Sequence, residues 1–388
     1  MQNPHRRQFM WQTGLVAAAL GLPLHAIARE SEKHVSTASV VIMEGDGLGL
    51  TPAEAAAELA RLTDSREIVA DTYGMGGAVE EVEAWFAREL GKERALFMPT
   101  GTLANQLALR ALAGERRRVV VQDVSHVYND TGDASQTLSG LTLLPLAPDA
   151  ATFSWDDVER ALQRTESGRV ATEVGAISIE SPVRRRAGEL FDRSEMMRIC
   201  ARARERGIRT HLDGARLYIA SAYTGIPPAE YAASFDTVYV SLWKCFNSLN
   251  GAILAGPSHI LDPMVHARRM FGGALFNAWP FALLARHHAE GFIERLTKAI
   301  GVSEAFIAAL PASVRVDRVA HGTNVFRLRV PAKQAQGLRE RLRARGVAVA
   351  PPSVGAAGEA TFGVQVNETW NRRSGSELAG VFRAALGA

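Results

Sequence analysis

Thr210-His211-Leu212-Asp213-Gly214-Ala215-Arg216-Leu217 and, downstream, Val238-Tyr239-Val240-Ser241-Leu242-Trp243-Lys244 are the stretches whose reading decides the fold. Each begins as an apolar run of strand length and ends on a charged residue, an acid at Asp213 and an amine at Lys244. Strands of an open α/β sheet deliver such residues to their carboxyl edge, where ligands bind. Working outward, further strands are expected over Ala95 to Met98, Arg118 to Val121, Ala176 to Ile179 and Ala252 to Ala255. Helical periodicity is expected over Thr51 to Leu62, Val79 to Leu90, Gly101 to Leu112, Trp155 to Gln163 and Ser194 to Arg206. Strands alternating with helices, and apolar throughout, imply an α/β fold with a mostly parallel sheet covered on both faces.

Beyond about Ile300 the texture changes. Ser313 to Val316, Asn324 to Val330 and Thr361 to Val366 read as strands, and Lys333 to Arg345 and Ser376 to Leu386 as helices. The expected organisation is an export segment at 1–28, a large α/β domain at 29–300 and a small α+β domain at 301–388.

The first 28 residues are read as a targeting segment. Paired Arg6 and Arg7 precede Phe9, an apolar run from Gly14 to Leu24 is too short for a normal membrane span, and Ala26-Ile27-Ala28 supplies a small-x-small cleavage pattern. This order is that of a twin-arginine export signal, so the mature chain is expected to begin near Arg29 in a bacterial periplasm, with no stable membrane insertion. The chain of 388 residues has a formal charge of +3, of which those two arginines supply two, so the remainder is close to neutral. The clusters Arg116-Arg117-Arg118 and Arg184-Arg185-Arg186 are short and lack interleaved aromatics, which argues against a nucleic-acid partner. Two cysteines, Cys200 and Cys245, do not make a disulfide framework, and no Cys/His cluster has metal-ligand spacing, so no metal is expected.

The charged strand ends suit pyridoxal phosphate (PLP). A lysine amine forms a Schiff base with its aldehyde, and a carboxylate beside the pyridine nitrogen keeps that nitrogen protonated, so the ring remains an electron sink. Lys244, between Trp243 and Cys245, is poorly placed for solvation, which lowers the pKa of its amine. Pro99-Thr100-Gly101-Thr102-Leu103-Ala104-Asn105 places a small-residue turn at a helix start, where free N–H groups and the helix dipole favour a phosphate. His126, in Asp123-Val124-Ser125-His126, follows a strand and could stack on a pyridine face. Arg216 could clamp a substrate carboxylate through two parallel hydrogen bonds.

Taken in order, Tyr73-Gly74, the run Gly91-Lys92-Glu93-Arg94 through Pro99-Thr100-Gly101-Thr102, Ser125-His126, His211-Leu212-Asp213-Gly214-Ala215-Arg216-Leu217 and Ser241-Leu242-Trp243-Lys244 resemble the L-threonine aldolases. These form part of the β-eliminating lyase branch of the fold-type I PLP enzymes. The resemblance implies a fold-type I, PLP-dependent transferase-like large domain and an amino-acid substrate. It implies that Lys244 anchors the cofactor, that Asp213 holds the pyridine nitrogen, and that His126 stacks on the ring. Gly101, Thr102 and Arg269 would serve the phosphate, and Arg216 the substrate carboxylate. Tyr73 would line the site from the partner subunit of a homodimer or homotetramer.

Several positions depart from the family pattern. Where the family carries Glu-Asn-Thr-His-Asn, this chain has Glu180-Ser181-Pro182-Val183-Arg184, with Val183 in the histidine's place. Gly45 replaces a serine ahead of Asp46, and Phe276-Asn277 replace an Arg-Gln pair. The expected reaction is PLP-dependent cleavage of a β-hydroxy-α-amino acid to glycine and an aldehyde. The alternatives are another PLP-dependent lyase, racemase or transaminase, or a homologue that binds PLP without turnover.

Overall fold

An apolar run with no polar face must be covered on both sides, and the runs identified above lie inside one seven-stranded sheet. In the computed structural model, which describes residues 39–354 and 358–387, the export segment expected at 1–28 lies outside the described residues. A short β1 (Val41–Ile42) precedes β2 (Arg94–Met98), β3 (Arg118–Gln122), β4 (Thr142–Leu146), β5 (Val174–Glu180), β6 (Arg209–Asp213), β7 (Thr237–Ser241) and β8 (Ala252–Gly256). The large sheet has the order β2-β8-β7-β6-β5-β3-β4. Strand β8 runs antiparallel to both neighbours and the other pairs are parallel. Every residue of β5, β7 and β8 is buried, as strands covered by helices on both faces require.

Strand β4 escapes the sequence reading for a physical reason. It is an edge strand interrupted by Pro145, and only Leu143 and Leu146 are buried. Proline lacks the ladder donor and is tolerated at an edge.

Two observations change the expected local structure. Strand β7 stops at Ser241, so Lys244 does not end a strand but lies in the helical turn Leu242–Cys245. The helix expected over Lys333 to Arg345 is two pieces, Ala332–Ala335 and Leu338–Arg343, broken where Gly337 takes φ 66°. The helix Phe292–Ala308 runs through residue 300 and packs on both Leu217–Thr224 and Gly375–Leu386.

In the C-terminal region, β9 (Arg315–Arg318), β10 (Val325–Pro331), β12 (Ser353–Val354) and β13 (Glu359–Gln365) form an antiparallel sheet in the order β12-β13-β10-β9, with β11 (Val347–Ala348) apart. Strand β10 alternates, with Phe326, Leu328 and Val330 inward. Strand β11 pairs in parallel with β1, which ties residues 41–42 to this region. Cys200 and Cys245 are both buried and free. Among the described residues no helix is long and apolar enough to cross a membrane, and no group of His, Cys, Asp and Glu could hold a metal.

Two packing features fix the elements that carry charge. Phe246, directly after the Lys244 turn, is fully buried and meets the rings of Tyr218, Phe292 and Phe86 at 4.9, 5.2 and 5.5 Å between centroids. On the helix Gly77–Glu89, Glu83 accepts a hydrogen bond of 2.7 Å from the Phe97 amide of β2, and the buried Arg268 lies 3.9 Å away. Burial pushes the Glu83 carboxyl up from 4.5 to about 7.

Truncating Phe246 to alanine removes the ring that three others pack against and should destabilise the fold by about 3–5 kcal/mol, read as a lower midpoint in denaturant unfolding. The Glu83 carboxyl binds its proton more tightly folded than unfolded, so its stabilisation is complete below about pH 4.5 and is lost as pH rises through about 7. A difference of that size corresponds to about 3 kcal/mol. Glu83→Gln should therefore flatten the fall in melting temperature between pH 4.5 and 8; an unchanged slope would assign that fall to other groups.

Candidate active site

Side chains two apart on a strand share a face, so His211 and Asp213 on β6 both face the helix Gly101–Ala113. Asn105, on the first turns of that helix, donates from Nδ2 to Asp213 Oδ2 at 2.7 Å. Its Oδ1 lies 2.9 Å from His211 Nε2, and His211 Nδ1 lies 2.8 Å from Thr237 Oγ1 on β7. Asp213 Oδ1 accepts from the Ala215 amide at 3.2 Å. Asp213 is thus buried and hydrogen-bonded, facing a helix start.

Strand β5 adds a second acid. Glu180 is the register partner of Asp213 and is buried. Its Oε2 accepts from the His126 amide at 2.6 Å and its Oε1 from the Arg184 amide at 2.9 Å. Burial, followed by the charge of Asp213, pushes Glu180 up to about 7. Glu180 therefore pins both the turn bearing His126 and the turn bearing Arg184.

Lys244 faces this group with a perturbed amine. Burial, and next the Arg216 guanidinium, hold its pKa below the ordinary lysine value, while Asp213, Asp46 and Glu180 oppose the shift. Arg216 is itself engaged. Its Nε and Nη2 both contact Asp46 Oδ2, at 2.9 and 2.8 Å. Asp46 Oδ1 accepts from Asn324 Nδ2 at 3.1 Å and Gln365 Nε2 at 3.3 Å, and Gln365 Oε1 accepts from the Gly45 amide at 2.6 Å. Arg216 Nη1 makes no hydrogen bond within the described structure, which leaves one edge of the fork for a ligand.

The departures at the family histidine and its arginines take definite form. Val183 is fully buried against Val124 and Ala151. Arg184 and Arg185 pair with Asp130 at 2.5 and 2.7 Å, and Arg186 pairs with Glu189 at 3.0 Å. Asp130 also lies 3.5 Å from His126 Nδ1. Although burial opposes it, the hydrogen bonds from Arg185 and Arg184 hold the Asp130 carboxyl at about 2.

Tyr73 and Arg269 form a separate group. The Arg269 guanidinium lies 4.8 Å from the Tyr73 ring centroid, and Phe276 meets the same ring edge-on at 5.3 Å. Arg268 supports this loop by donating to the carbonyls of Phe97, Tyr73 and Gly74. Within the described residues no hydrogen bond, ion pair or ring contact joins Tyr73 or Arg269 to Lys244 or Asp213. The structure therefore brings together Lys244, Asp213 and Arg216, ties His126 to them through Glu180, and leaves Tyr73 and Arg269 outside that network.

PLP fits this arrangement. The helix Gly101–Ala113 begins with Thr100 Oγ1 accepting the Leu103 amide at 3.1 Å, and the N–H groups of Gly101 and Thr102 have no partner among the described residues. A Cβ on Gly101 would lie 2.0 Å from Tyr239 Oη, so only glycine lets this helix start approach the sheet. One helical turn, about 6 Å of rise, separates those free N–H groups from Asn105 and its Asp213 partner. That spacing would suit a phosphate at the helix start and a ring nitrogen at Asp213, the two ends of one small ligand. Ser125 Oγ, beside His126, is buried with no hydrogen-bond partner.

Sequence reasoning passed over Asn105, Glu180, Asp46, Asn324 and Gln365 as functional residues, and gave His211 no role. Two of them carried a usable signal. His211 lies two residues before Asp213, hence on the same face, and Asn105 lies four residues after Gly101, hence one turn below it.

Comparison with known proteins places the chain in a family. Over 215 residues the chain is 27% identical to the low specificity L-threonine aldolase of Saccharomyces cerevisiae, covering 55% of each protein. Over 196 residues it is 31% identical to an alanine racemase of Cochliobolus carbonum, covering 50% of this chain and 49% of that one. The matched stretch thus spans about half the length of these relatives. A solved Listeria monocytogenes structure, provisionally named an L-allo-threonine aldolase, superposes with a TM-score of 0.74 at 28% identity, covering 90% of this chain and 96% of that one. Residues 57–353 match the family described as beta-eliminating lyase. With that match covering most of the sequence, the chain belongs to the beta-eliminating lyase family.

Proposed function

We propose that this chain is a PLP-dependent lyase that cleaves a β-hydroxy-α-amino acid to glycine and an aldehyde. The observation that carries this reading is a half-buried Lys244, its amine held below the ordinary lysine value, in the turn that follows β7, beside the Asn105-bound Asp213 at the carboxyl end of the adjacent β6. Bound PLP would supply the electron sink for the carbon–carbon bond that breaks.

The protein's own groups divide the remaining work. Gly101 and Thr102 would hold the phosphate, Asp213 the ring nitrogen, and Lys244 Nζ the aldehyde carbon. Arg216, steadied by Asp46, presents Nη1 to the substrate carboxylate. With Val183 buried, His126 is the imidazole left at this edge. Its Nδ1 faces Asp130, so Nε2 is the atom available to take the β-hydroxyl proton. Loss of that proton breaks Cα–Cβ and releases the aldehyde; a proton returned at Cα completes glycine.

The racemase relative favours a second reading, in which the Cα–H bond breaks instead and Lys244 carries the proton. Two further proposals accompany the first. Exposed Tyr73, Met75, Met270 and Phe276 suit coverage by a second copy, as a homodimer or homotetramer would provide. The N-terminal Arg6-Arg7 pattern suits twin-arginine export to the periplasm.

Purified protein loaded with PLP should release aldehyde from threonine, allo-threonine or phenylserine, and Lys244→Ala should lower that rate on the order of a thousandfold or more. Keto acid with ammonia, or racemised amino acid without aldehyde, would replace the aldolase reading. A monomer by light scattering would remove the oligomer, and full-length protein retained in the cytoplasm would remove export.

A further inference from the structure

We infer that Thr237, His211 and Asn105 form a one-directional hydrogen-bond relay whose function is to position Asp213 for the cofactor's ring nitrogen. The inference rests on the PLP reading above and adds three positioning residues to it.

The direction follows from acceptor chemistry. An ionised carboxylate only accepts, so the group that Asn105 presents to Asp213 is its NH2. The Asn105 carbonyl then faces His211, and a carbonyl also only accepts, so His211 Nε2 carries the proton. A fully buried imidazole with no carboxylate in hydrogen-bond contact stays neutral: burial holds this one down at about 4, against the opposing charge of Asp213 and the Thr237 backbone. Its Nδ1 is consequently an acceptor, filled by the Thr237 hydroxyl. Every donor in the chain points toward Asp213.

The backbone makes this arrangement rigid. Thr237 and His211 are register partners on adjacent strands, His211 and Asp213 share a face of β6, and Asn105 sits on the helix whose first residues form the phosphate cradle. All four side chains are buried. The Asp213 Oδ2 orientation and the Gly101–Thr102 amides are thereby set by one helix, so ring nitrogen and phosphate are addressed from a single rigid body. An apolar core would not need such a chain, and a partly satisfied one would be costly.

Two measurements test this on the full chain. With 15N-labelled histidine, NMR should show His211 as the Nε2–H tautomer, without titration from pH 5.5 to 9, whether or not PLP is present. The Nδ1–H tautomer or a titrating ring would overturn the relay. PLP dissociation constants, read by absorbance, should rise about tenfold in Asn105→Ala. Thr237→Val, close to isosteric, should raise the constant about threefold. The double variant should match Asn105→Ala within about twofold, because the relay is already cut. Additive effects, or wild-type affinity in Asn105→Ala, would assign these residues a merely structural role. Failure of the wild-type chain to bind PLP would overturn the cofactor reading and the relay together; normal wild-type binding with additive effects would overturn the relay alone.

Discussion

Asp213 is a carboxylate buried beneath a helix and beside a second buried acid, and the site is organised around keeping that charge in place. A buried charge is tolerated only when it is paired and hydrogen-bonded. Asn105 supplies one bond, the Ala215 amide another, and a cationic ring nitrogen would complete the set. Its neighbour Glu180 meets the same demand differently, by binding its proton near neutrality and spending both oxygens on backbone amides. The two acids thus take opposite roles on adjacent strands. The half-buried Lys244 and Arg216, held among these acids, complete a network whose charges constrain one another.

The large-scale fold was legible because its signals are periodic. Continuous apolar runs marked six of the seven sheet strands, and the seventh, β4, was hidden by Pro145 and by its half-exposed edge position. The helix split at Gly337 was missed because the flanking residues keep helical composition on both sides. Site residues divided along similar lines. Asp213 and Lys244 stand out as charges inside apolar sequence. Asn105, Asn324 and Gln365 are ordinary polar residues whose roles exist only once three distant segments meet. Asp46 became meaningful only by closing on Arg216, 170 positions away.

The departures from the family pattern also acquire a physical shape. Val183 fills a small apolar cluster instead of facing a ligand, and the arginines after it are consumed by Asp130 and Glu189. That leaves His126 with Asp130 behind it. Gly45 loses a hydroxyl but keeps its amide on Gln365, which in turn steadies Asp46.

The central claim is that Lys244 is the amine that holds the cofactor, opposite Asp213. Borohydride reduction of the PLP-loaded protein fixes the cofactor to whichever amine carries it, and peptide mass spectrometry identifies that residue. The account places a stoichiometric label on the peptide containing Lys244. A label on Lys33, Lys92, Lys298 or Lys333 instead, or none on a lysine after full loading, would contradict it.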